Sequence, residues 1–102
     1  MKLLTQANLK ALPAQGSTIG QGMDAVAQVK FFTPWTNWTW YAVEYNPEGK
    51  LFYGLVDGFE QEIGYWGLEE LEDINGPFGL KIERDRHFTP TPLSQLMEEH
   101  TA

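Results

Sequence analysis

Ten of the fourteen aromatic residues of this chain fall between Phe31 and Phe59, in the run FFTPWTNWTWYAVEYNPEGKLFYGLVDGF. Side chains of this size bury large areas and suit a pleated, half-buried surface, so the run predicts a β-hairpin at the centre of the fold. From Trp38 to Tyr45 both faces are apolar, Trp38, Trp40 and Ala42 on one and Tyr41, Val43 and Tyr45 on the other. That is the pattern of an interior strand. Asn46-Pro47-Glu48-Gly49 then predicts a tight turn, with Gly49 free to take a positive φ, and Leu51 to Val56 returns as the next strand. Gly54, in the middle of that strand, leaves room for a Trp or Tyr ring of the preceding strand to cover the backbone.

The flanks are simpler. Thr5 is a helix cap, Leu9 and Leu12 share one side of the helix that follows, and Pro13 stops it. The Gly-, Ser- and Gln-rich stretch AQGSTIGQGMDA has no apolar period and is expected to be a mobile loop. Val26 to Phe32 predicts one strand with Ala27, Val29 and Phe31 on one face. After Gly58, FEQEIGYW predicts another, with Phe59, Ile63 and Tyr65 inward and Glu60 and Glu62 outward. Leu68 to Ile74 predicts a short acidic helix. Leu80 to Phe88 predicts a last, edge strand, with Leu80, Ile82 and Phe88 inward. Thr91 as cap and Pro92 at the first helical position introduce a closing helix with Leu93, Leu96 and Met97 as its apolar stripe. The expected fold is α+β: a mainly antiparallel meander of about four to five strands with short helices packed on it, in a single domain over residues 1–102.

Composition narrows the chemistry. The chain has no cysteine, which removes disulfides and thiolate sites and fits the cytoplasm. No apolar run reaches the roughly 20 residues of a membrane helix, and MKLLTQANLKALP is too polar for a signal peptide. A net charge of −7 opposes sequence-independent nucleic-acid binding. Seven acids (Asp57, Glu60, Glu62, Glu69, Glu70, Glu72, Asp73) occur between Asp57 and Asp73 without a Lys or Arg. Such a patch attracts a basic partner, or simply keeps an aromatic-rich protein soluble.

Three constellations bear on chemistry. Glu83, Asp85 and His87 alternate along the predicted last strand and so share a face, as metal ligands or acid–base groups do, yet a polar outer face gives the same pattern. Asp57, Glu60 and Glu62 invite a carboxylate-pair reading, which turn chemistry at Asp57-Gly58 explains equally well. Trp35, Trp38, Trp40 and Tyr41 resemble a stacking platform for bases, sugars or a protein, although only Lys30 supplies nearby positive charge. Trp35, after a Pro in TPWTN, is expected to be partly exposed. No phosphate loop, nucleophile elbow or paired-His motif is present, and no cofactor or metal is implied.

The segments KFFTP, NWTWYAVEY, LFYGLVDGFEQEIGYW and GPFGLKIERD, with the leading KLLT and the closing PTPLSQL, closely resemble domain-of-unknown-function family 2958 across nearly the whole chain. Gly67 departs from the Ser or Thr expected before the acidic helix. The resemblance implies a setting among phages, plasmids and integrated elements, and brings no catalytic residues with it. The expectation is therefore a non-enzymatic accessory protein that binds a host or element-encoded protein, with an anti-defence role as one form. Its binding residues would be Trp35, Trp38, Tyr41, Glu60, Glu62, Glu69, Glu70, Glu72 and Asp73. The alternatives are a small hydrolase using Asp57, Glu60, Glu62 or Asp85 with His87, and a single-strand nucleic-acid binder using Trp35, Trp38 and Tyr41. Self-association through an edge strand is a further expectation.

Overall fold

The computed structural model describes residues 3–100, with side chains through residue 97. In chain order the elements are α1 (Gln6–Ala11), β1 (Val26–Ala27), β2 (Val29–Phe32), β3 (Thr39–Asn46), β4 (Leu51–Asp57), β5 (Gln61–Gly67), α2 (Leu68–Asp73), β6 (Glu83–Arg84), β7 (Thr91–Pro92) and α3 (Leu93–His100). Five strands form an antiparallel sheet in the order β5-β4-β3-β2-β6, and β1 pairs with β7 in a separate two-stranded ladder. The fold is α+β, as the aromatic pattern and the short helical stripes predict.

Each face of the sheet carries its own apolar layer. On one, Phe31, Trp40, Ala42, Tyr45, Phe52 and Trp66 pack with Leu3, Leu12, Leu71 and Ile82 from the covering segments. Phe52 is the hub, its ring 4.6 Å from Tyr45, 5.3 Å from Phe31 and 5.5 Å from Trp66. On the other face Tyr41, Val43 and Leu55 meet Ala25, Ala27, Leu93 and Leu96. Burial on both faces is why β3 reads as a continuous apolar run.

Several sequence expectations need correction. Val26 to Phe32 is not one strand. The ladder breaks at Gln28, so Ala27 belongs to the second layer and Val29 and Phe31 to the first. In β3 a bulge shifts the register between Ala42 and Glu44. The extra residue returns Tyr45 to the same side as Trp40 and Ala42, and turns the Glu44 carboxylate toward the second face. Gly54 is not covered by a ring. A Cβ there would stand 2.0 Å from the Tyr41 carbonyl oxygen, so the close approach is backbone to backbone beside the bulge.

In the β3–β4 turn the Asn46 side chain accepts the amide of Glu48 at 3.0 Å, as a turn-starting Asn does, but the positive φ falls on Lys50 (52°) rather than on Gly49. The predicted strand from Leu80 to Phe88 shrinks to β6, at the opposite edge from β5, with Leu80 exposed and only Ile82 fully buried. Pro92 lies in β7 just before α3, and the Thr91 hydroxyl donates to the Thr89 carbonyl. Thr5 caps α1 as expected, in a reciprocal pair with Asn8. Leu12 is buried and Leu9 is exposed.

Candidate functional site

Trp38 leads into β3 and lies across the backbone of Gly58, where an added Cβ would meet the indole ring at 2.4 Å. Only glycine at that turn lets the ring settle so close. The next residue, Phe59, is 94% exposed, contrary to its predicted inward place, and meets Trp38 edge-to-face with ring centroids 5.3 Å apart. The β4–β5 turn is short, so Phe59 has no strand neighbour to cover it. Together Trp38, Val56, Phe59, Glu60 and Glu62 line a hollow of about 320 Å³ at the N-terminal end of β5. Half-buried Trp38 and Val56 give it an apolar wall, and exposed Glu60 and Glu62 give it a carboxylate rim.

That pairing of surfaces suits a cationic side chain. A Lys or Arg stem packs on the rings while its head meets the carboxylates, and charge over an indole face adds roughly 0.5–2 kcal/mol. Along β5 the same edge also exposes Ile63 (39%) and Tyr65 (57%), both predicted to face inward. Tyr65 stands opposite Tyr53, their ring centroids 5.1 Å apart. Trp66 is the residue of this strand that enters the core.

The remaining candidates are spread out. Trp35 is half-buried, its ring over Gly76, where a Cβ would come within 2.6 Å. Tyr41 is only 2% exposed, in the second layer, with Lys30 Nζ 5.8 Å from its ring centroid. A platform joining Trp35, Trp38 and Tyr41 is therefore not assembled. Glu69, Glu70, Glu72 and Asp73 are exposed on α2. The length of β5 separates them from Glu60 and Glu62 by about 20 Å, so the acidic segment is two clusters and not one. Lys50 Nζ lies 3.6 Å from Glu69.

Asp85 pairs with Lys30 at 3.8 Å and accepts the His87 amide at 2.9 Å. It sits at the β6 edge, four strand spacings or about 20 Å from Glu62 on β5, so the residues of the hydrolase reading are not brought together. Among the described residues no group of three His, Asp or Glu is placed to hold a metal ion.

One site escaped the sequence reading. Glu44, 2% exposed, accepts the amides of Gly16 (2.7 Å) and Thr18 (2.9 Å) and the Thr18 hydroxyl. The glycine-rich loop expected to be mobile is thus tied to the sheet, over a cavity of about 280 Å³ that Tyr53 and Tyr65 help to line. Burial pushes the Glu44 pKa up, but the Thr18 hydroxyl and the two amides outweigh it, and the net displacement is downward. A single Glu in the apolar run TWYAVEY was the available signal.

The chain is an α+β protein built on a two-faced antiparallel sheet with an acidic, aromatic hollow at one edge. The family model described as "Protein of unknown function (DUF2958)" matches residues 3–101, and the chain belongs to that family. No curated protein and no solved structure matches it. No described helix is long and apolar enough to cross a membrane.

Proposed function

We propose that this is a non-enzymatic interaction protein that holds a basic partner protein through the hollow of Trp38, Phe59, Glu60 and Glu62. The observation that carries the reading is the exposed Phe59 ring set against Trp38 in a hollow that Glu60 and Glu62 also line. An aromatic anchor with a charged rim is the usual make-up of an interaction hot spot. The chain has no Lys or Arg from Leu51 to Leu80. A positively charged partner is therefore steered to this side and nucleic acid is repelled from it. The family resemblance to proteins of phages and other mobile elements makes a cytoplasmic host or element-encoded protein the proposed partner, with blunting of a nuclease-based defence as one consequence of binding.

The test is retention of host-lysate proteins on the immobilised full chain, with and without added nuclease. The reading expects a stoichiometric, nuclease-insensitive protein whose affinity drops at least about tenfold in Phe59→Ala and in the Glu60→Lys, Glu62→Lys double variant. Phe59 is almost fully exposed, so its truncation leaves the fold intact. Recovery that nuclease abolishes, or a partner indifferent to these variants, would sink the proposal.

A further inference from the structure

We infer that the free edge of β5 takes up an extended segment of that basic partner as an added strand, with apolar residues in its middle and Lys or Arg at both ends. The inference rests on the interaction reading above and specifies its geometry. In the sheet β5 is terminal, and no described strand lies beyond it. Its register with β4 runs without a bulge from Asp57↔Gln61 to Leu51↔Gly67. The Leu68 amide donates to the Lys50 carbonyl at 2.9 Å just past the last of these pairs, which fixes the alternation. Glu62, Gly64 and Trp66 turn their amides and carbonyls toward β4, while Gln61, Ile63, Tyr65 and Gly67 turn theirs outward.

Natural sheets blunt such an edge with Pro, charged side chains (above all Lys) or a bulge; β5 has no Pro, Lys or bulge, and its one charged residue, Glu62, lies near its start. Instead the two residues with outward backbone groups at its centre, Ile63 and Tyr65, also carry exposed apolar side chains. An incoming strand would satisfy both at once.

Charge selects the occupant. A second copy of this chain pairing antiparallel about Gly64 would set Glu60 of one copy opposite Leu68 of the other, next to Glu69 and Glu70, bringing acid near acid at both ends. A strand with basic ends meets the Trp38 hollow at one end and the start of α2 at the other, where Lys50 offsets only Glu69.

The experiment follows amide exchange by NMR in the isotopically labelled full chain. The probe is a synthetic peptide of about nine residues, the length of one strand, with Lys at both ends and alternating Val and Thr between; the control has Glu at the ends. Exchange at Ile63 and Tyr65 should slow at least about tenfold with the Lys-ended peptide, Glu62, Gly64 and Trp66 should change little, and the control should do nothing. Ile63→Pro removes one outward amide without touching the β4 ladder, and should abolish the protection at Tyr65 while the melting temperature holds. Equal effects of both peptides, no protection at all, or protection without peptide in a chain that sediments as a dimer would each overturn the inference. Its failure is separable from that of the reading beneath it. Open amides at Ile63 and Tyr65 with a protein still captured through the hollow refute strand addition alone, whereas no captured protein refutes the interaction reading.

Discussion

Glu44 shows how one side chain can set the position of a whole loop. Its carboxylate is surrounded by donors from Gly16 and Thr18, and replacing it with Gln would turn an amide group toward those N–H donors. Glu44→Gln should therefore cost about 1–3 kcal/mol, a fall in melting temperature of roughly 4–8 °C per kcal/mol in a domain of this size. Calorimetry would read it directly. The pH dependence has a definite sign. The folded pKa lies below the ordinary value of 4.5, so the unfolded chain takes up the proton first as pH falls. The stabilisation is complete above about pH 4.5 and is lost as pH drops through the depressed folded value. Wild type should thus lose stability more steeply than Glu44→Gln below pH 4.5, and parallel curves would show that the latch does not titrate with folding.

At the scale of elements, the strands were legible where the sequence alternates and misread where a local irregularity resets the alternation. Trp40, Tyr41 and Ala42 fall on the faces that a simple period of two assigns, but the bulge at Val43 moves Tyr45 to the other side. Ala27 and Val29 are likewise two residues apart and sit in different layers, because the chain leaves one ladder for another at Gln28. No Gly or Pro marks the break at Gln28, whereas Gly54, paired with Ala42 at the register shift, is the residue that marks the bulge. In β5 the apolar residues were assigned inward by their chemistry, and the register with β4 instead buries Trp66 and exposes Ile63 and Tyr65. The interaction surface was missed for that reason, while its acids and Trp38 were not. The start of α2 was legible: Gly67 takes an extended conformation at the cap position and offers no side-chain bond. Gly67→Ser should stabilise the protein by a few tenths of a kcal/mol up to about 1, from the cap and a less flexible unfolded chain. The new Cβ meets only the movable end of Glu70 at 3.2 Å. A lower midpoint in urea would show that this contact outweighs the cap.

Over the whole molecule, electrostatics is lopsided. The net charge of −7 gathers at the two ends of one edge strand, and the Lys50–Glu69 and Lys30–Asp85 ion pairs are long at 3.6 and 3.8 Å. Self-repulsion of this kind is screened by salt, so melting temperature should rise by a few degrees between roughly 0.02 and 0.5 M NaCl. A flat or falling curve would mean that the acids are already compensated. The way the covering segments are drawn from the chain has a consequence for synthesis. The β3–β4–β5 meander is made of near neighbours in sequence, but its lids are not. Arg84 donates to the Leu3 carbonyl at 2.6 Å, the Leu93 amide donates to the Ala25 carbonyl at 2.9 Å, and β1 waits for β7. On a translating ribosome the hairpins would therefore be complete while Tyr41, Val43 and Leu55 still lacked Leu93 and Leu96 above them. A nascent chain with β3, β4 and β5 paired but α3 not yet made would show a bare aromatic and aliphatic face, the stage at which a slow or stalled ribosome would leave it most prone to aggregate.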